Sequence, residues 1–191
     1  SKLSGSYNSA CAAKDMVLEN QPDKKIAVID SRSTGPEMVL LVKKICEIIE
    51  SGADFDTVVS KAELYSNHTH VVFALSSFNN LVKNGRMSKI VGFVANKLGF
   101  WGIGIGSKQG TIEIKQKIRG SKKALDAIID DMKERGYNCG KVVISHCRNA
   151  EFAESVKSAI QSVWDKAEVK IVHARGLCSY YAEKGGLIIG F

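Results

Sequence analysis

The sequence predicts an α/β fold, and three observations carry that prediction. Short apolar runs alternate along the chain with segments whose apolar residues recur at helical spacing. A glycine-rich stretch, a turn signal and a period-two run read together as an antiparallel hairpin, which makes at least part of the sheet mixed. The composition, 45% hydrophobic and 25% charged over 191 residues, lies in the globular range and can bury a core in one domain or two lobes.

Taken in order, Ser4-Gly5-Ser6 leads an alanine-rich segment over 7–19 that is closed by Asn20-Gln21-Pro22, a loop, a helix start and a stop. Ile26-Ala27-Val28-Ile29 then reads as a short buried parallel strand, with Asp30-Ser31 at its C-terminal end, where open α/β sheets place their sites. Over 36–50 the residues Val39, Leu40, Val42, Ile45, Cys46 and Ile49 recur as in a helix, and Ser51-Gly52 ends the pattern. A second helix follows Asp54, a strand covers 70–75, and a short helix with Phe78, Leu81 and Val82 ends at Asn84-Gly85. Residues 87–98 are expected to be helical as well. The hairpin comes next: glycines over 99–106, the turn Ser107-Lys108-Gln109-Gly110, and an imperfect second strand with Ile112, Ile114 and Ile118. The end of the chain alternates helix 121–135, strand 142–145, helix 151–164, strand 169–172 and a closing strand 187–191. The plain β-α pattern gives way to hairpin and mixed order near Asn67, which divides the chain into lobes at 1–66 and 67–191.

The bulk numbers exclude several classes. The apolar stretches around 38–49 and 93–105 are broken by lysines and fall short of the about 20 clean residues a membrane span needs, so no transmembrane segment is expected. The chain opens at Ser1-Lys2-Leu3 with neither a methionine nor a leader, and is read as starting inside a longer protein. Five widely spaced cysteines without a C-x-x-C suggest neither a disulfide framework nor a zinc site; each reads as a small buried hydrophobe in a reduced, cytoplasmic compartment. A net charge of +7 allows an anionic partner, but the lysines are scattered along helices as on solvated faces. Nucleic acid is not expected, because the basic residues lack interleaved aromatic side chains.

The motifs are weighed by context. Gly102-Ile103-Gly104-Ile105-Gly106 precedes a turn and strand rather than a helix, so it does not read as a dinucleotide loop. No P-loop and no G-x-S-x-G elbow occur, and the four histidines form no metal-ligand pattern, which leaves no catalytic residue or cofactor to assign. Ser4-Gly5-Ser6 reads equally as an N-cap or as an anion site, since free N–H groups, a hydroxyl and a helix dipole together suit a carboxylate. Arg86 and Lys89, beside a glycine turn, and Arg119 among four cations before a helix, read as solvated loops or as a docking patch for an acidic or phosphorylated partner.

The segments Leu3-Ser4-Gly5-Ser6-Tyr7-Asn8-Ser9-Ala10, Val28-Ile29-Asp30-Ser31, Asn84-Gly85-Arg86-Met87-Ser88-Lys89 and Lys117-Ile118-Arg119-Gly120-Ser121-Lys122-Lys123-Ala124-Leu125 resemble, in this order, the signature segments of DegV family proteins. The resemblance implies two α/β lobes, one with a Rossmann-like parallel sheet only partly present here and one with a mixed sheet. It implies a long-chain fatty acid bound between them as ligand, with no catalysis by the chain itself. A separate ATP-binding fatty acid kinase subunit would phosphorylate the presented carboxylate. By position, Ser4 and the backbone of Gly5 match the family's carboxylate-contacting serine segment. Tyr181 stands where many members carry a histidine, and it brings a neutral hydroxyl donor in place of an imidazole. An independent small enzyme acting on a carboxylated or phosphorylated metabolite is the competing expectation.

Overall fold

The computed structural model describes residues 1–87 and 99–191. Its elements run α1 (Ser6–Asn20), α2 (Pro36–Glu50), α3 (Phe55–Ser66), β1 (Val71–Leu75), α4 (Asn79–Lys83), β2 (Phe100–Gly106), β3 (Ile112–Arg119), α5 (Ser121–Glu134), β4 (Lys141–His146), α6 (Ala150–Val163), β5 (Glu168–His173), α7 (Gly176–Ala182) and β6 (Leu187–Gly190). The α/β class and the mixed sheet are as the sequence predicts: six strands in the order β3-β2-β1-β6-β4-β5, antiparallel except for the β4–β5 pair.

Each face of the sheet is covered by what the helical periodicities provide. On one face Val72, Ala74, Ile103, Val142, Ile144, Leu187 and Ile189 meet the buried stripes of α5 (Ala124, Ile128, Met132) and α6 (Phe152, Val156, Ile160). On the other face α2 lies on β4 and β6. Gly190 permits that approach, since a Cβ there would stand 2.5 Å from the Glu37 backbone nitrogen. With both faces of β1 covered, its five residues are all buried, which is why that strand reads as an unbroken apolar run rather than an alternating one.

Local chemistry fixes the ends. Asp54 accepts from the Thr57 N–H at 2.8 Å and starts α3 as an N-cap, while Pro36 opens α2 at a position where its missing N–H costs nothing. Between β2 and β3 the register shifts at Ile103/Gly104, leaving Lys115 as an extra residue on β3. The strand expected to be imperfect is therefore bulged. The bulge reverses its alternation: Ile112 and Ile114 face one side of the sheet and Ile118 the other. Its Lys115 ammonium bridges Asp131 at 2.8 Å and Glu134 at 2.6 Å, tying the hairpin to α5.

Three expectations are corrected. Residues 26–29 form no strand: among the described residues no strand lies beside them to complete a ladder, and Val28 and Ile29 instead line a cavity. Cys46 and Cys139 are exposed rather than buried. Helix α7 was not foreseen, because the polar run from Tyr180 to Lys184 and two glycines mask its short apolar stripe. The helix expected over 87–98 lies, beyond Met87, outside the described residues. No helix among the described residues is long and apolar enough to cross a membrane.

Candidate functional site: a cavity with a polar rim and an apolar floor

A cavity of about 560 Å³ opens on the face of the sheet opposite α5 and α6. Its size is within the range of small-molecule sites, about 300–1,000 Å³. The floor is made of alternate side chains of the sheet, Val71, Phe73 and Leu75 from β1, Ile112 from β3 and Ile188 from β6. Leu81 of α4 and Leu177, Cys178 and Tyr181 of α7 close one side. The other side is contributed by the start of α1 and the loop before α2, with Ser4, Ser6, Tyr7, Ser31, Ser33 and Thr34.

The polar residues gather at two helix N-termini. Gly5 is the N-cap of α1 and, having no side chain, gives no side-chain cap; Ser4 Oγ beside it receives the Ser6 N–H at 3.2 Å and pairs with Ser6 Oγ at 2.8 Å. Gly35, at φ +57°, is the likewise uncapped N-cap of α2 and lines the cavity with Thr34. Arg32, also left-handed at φ +50°, holds this loop: its backbone N–H reaches Asp30 at 3.1 Å and its guanidinium reaches Asn67 at the end of α3. The Tyr7 hydroxyl is held above the ordinary phenol range by its hydrogen bond with Cys11 and stays neutral.

Beneath the rim lies Glu37, 7% exposed, whose two carboxylate oxygens accept from Ser33 Oγ and, at 2.8 Å, from Thr69 Oγ1. Burial raises its pKa above the usual carboxylate value against the pull of those two hydroxyls. A second buried polar group, His146 at the end of β4, accepts the Asn149 N–H on Nδ1 at 3.1 Å. Burial and the ring of His173, 4.5 Å away, push its pKa down, so it is a neutral structural histidine rather than a base facing the cavity.

The residues singled out in the sequence are distributed as follows. Ser4 and Tyr181 both line the cavity; Gly5 stands next to it as the cap of α1. Arg86 also lines it, with its guanidinium donating to the Asn84 carbonyl at 2.9 Å, while remaining exposed. Arg119 is away from the cavity at the end of β3, 5.8 Å from the Phe100 ring centroid. Lys89 lies outside the described residues. Ser33, Thr34, Phe73, Leu177 and Cys178 were not anticipated. The spacing of Leu177, Cys178 and Tyr181 on one turn of helix was the signal available for the last two.

Comparison with known proteins identifies the family and the fold. The family model described as "Uncharacterised protein, DegV family" matches residues 1–191. A DegV domain-containing protein of Streptococcus pneumoniae is 43% identical over 189 residues, 99% of this chain and 67% of the relative. Another from Streptococcus gordonii is 40% identical over the same coverage. Among solved structures, the Streptococcus pneumoniae Fatty Acid Kinase B3 protein loaded with linoleic acid superposes with a TM-score of 0.95 at 43% identity, covering 100% of this chain and 68% of that one. A DegV family protein from Eubacterium eligens loaded with heptadecanoic acid gives 0.94 at 39% identity, covering 98% and 68%. The chain belongs to the DegV family.

Proposed function

We propose that this protein binds a long-chain fatty acid in the cavity and presents its carboxylate to a separate ATP-binding kinase subunit for phosphorylation. The observation that carries the reading is the division of one cavity into an apolar floor and a hydroxyl-rich rim. Burying an acyl chain against Val71, Phe73, Leu75, Ile112 and Ile188 gains about 0.8 kcal/mol per methylene, while the carboxylate requires donors where it leaves water. Ser4, with the Gly5 backbone and the dipole of α1, supplies them on one side and the Tyr181 hydroxyl on the other. The acyl ligands of the pneumococcal and Eubacterium eligens structures support the ligand class, and the kinase name of the former supports the partner. The protein itself acts as a lipid-binding subunit without a cofactor. Residues 1–66 and 67–191 count as two lobes with the ligand between them, and the site of action is the cytoplasm.

The test is native mass spectrometry, with organic extraction, on the full-length protein purified from a bacterial host. A co-purifying mass of fatty-acid size, lost on extraction, is the expected result. Tyr181→Phe then lowers affinity for added fatty acid by roughly 10- to 150-fold, the worth of one hydrogen bond to an ionised carboxylate. Unchanged affinity removes Tyr181 from the site. An empty protein that also refuses added acids, yet turns over a carboxylated or phosphorylated metabolite without a partner, would establish the enzyme reading in its place.

A further inference from the structure

Strand β2 carries Trp101, Ile103 and Ile105 against α5 and α6, so its alternate positions Gly102, Gly104 and Gly106 leave the cavity face of the strand without side chains. Glycine weakens a strand interior, and three in alternation on one face mark a close approach by something else. That approach is visible. An ideal Cβ on Gly104 would run into Cζ of Phe73 and stand 2.5 Å from the Glu113 carbonyl oxygen on β3, and one on Gly106 would stand 2.7 Å from Cγ1 of Val71. The side chains of β1 therefore lean sideways over the bare strand. Phe73 lies over Gly104 with Phe78 set edge-on against it, ring centroids 6.4 Å apart.

We propose that this bare face sets the depth of the cavity, and hence the length of acyl chain it accepts: Gly104 lets the Phe73 ring lie down, and a side chain there must raise the ring into the ligand space or shift the β3 backbone at Glu113. The proposal rests on the acyl-ligand reading above. It assigns chain-length selection to a residue that makes no polar contact and stands behind the cavity wall rather than on its rim. Val71, over Gly106, shapes the neighbouring stretch of floor in the same way.

The experiment uses the full-length protein with a panel of saturated fatty acids from short to long, binding being read by native mass spectrometry and folding by thermal unfolding. In Gly104→Ala the profile shifts to shorter acids, with a roughly tenfold loss for the longest, equivalent to about two methylenes displaced from apolar contact. Phe73→Leu, which removes the ring without adding volume, shifts it to longer acids, and the double variant returns toward the wild-type profile. If Gly104→Ala does not fold, Phe73→Leu alone decides the matter. A wild-type protein that takes no acid of any length overturns the acyl reading and this proposal together. Acid binding retained with an unchanged length profile in the folded variants overturns this proposal alone.

Discussion

Glu37 occupies the first turn of α2, where the helix dipole favours an ionised carboxylate, yet it is buried and accepts only from two hydroxyls. Burial dominates and its pKa is raised. A carboxyl group whose pKa is higher folded than unfolded binds more protons in the native state, so its stabilising effect is complete below the unfolded value of about 4.5 and fades as pH rises through the folded one. Glu37→Gln removes the titration while keeping an acceptor. The difference in stability between Glu37→Gln and wild type, measured by urea unfolding from pH 4.5 to 7, is therefore expected to move in favour of Gln as pH rises. A difference that is flat with pH would show that Glu37 titrates alike in both states. The same residue links the cavity rim to the sheet, since Ser33 belongs to the loop before α2 and Thr69 to the approach to β1.

At the scale of elements, the hairpin and α5 form one unit held by a buried charge. Asp131 is 2% exposed and is bound by Lys115 from the β3 bulge and by Arg135 one turn further along, each at 2.8 Å. Removing this carboxylate leaves Lys115 with Glu134 and takes the buried partner from Arg135, which is partly solvated, so Asp131→Ala is expected to destabilise by about 2 kcal/mol. Lys133→Ala, whose pair with Asp130 is exposed at 3.9 Å, should leave the urea midpoint in place. Equal midpoints for the two variants would show that the bulge is held by backbone geometry instead. The elements differ in how legible they are. Both ends of α2 follow from its sequence because Pro36 and Ser51-Gly52 are local signals. The stretch 26–29 has the apolar content of a strand but no ladder among the described residues, and pairing is not a local property.

For the molecule as a whole, the proposed division of labour leaves the ligand inside and the partner outside. Arg86 borders the cavity and Arg119 stands apart from it on the hairpin end, so a proposed docking role is tested separately from lipid binding at Arg119. Arg119→Glu is expected to lower kinase-coupled turnover about tenfold at low salt through slower association, with fatty acid content unchanged. Loss of the lipid together with turnover, or turnover unaffected, would return Arg119 to ordinary solvated surface. Arg86→Glu, by contrast, is expected to reduce lipid content as well.

The family resemblance marked Ser4, Gly5 and Tyr181 as ligand candidates, while the sequence by itself determined the α/β class and the position of nearly every helix and strand. Those features depend on apolar period, on caps and turns, and on short motifs, all of which act within a few residues of themselves. Only the tertiary structure decided which faces those residues share. The Lys115 bulge turns Ile118 away from Ile112 and Ile114, although all three occupy even positions. The glycines of β2 read as part of a hairpin, but what stands over them is settled only when β1 lies beside them and Phe73 fills the space they leave. Strand order, register and the depth of a cavity come from contacts between segments far apart in the chain, and a local pattern holds no record of which distant strand will become its neighbour.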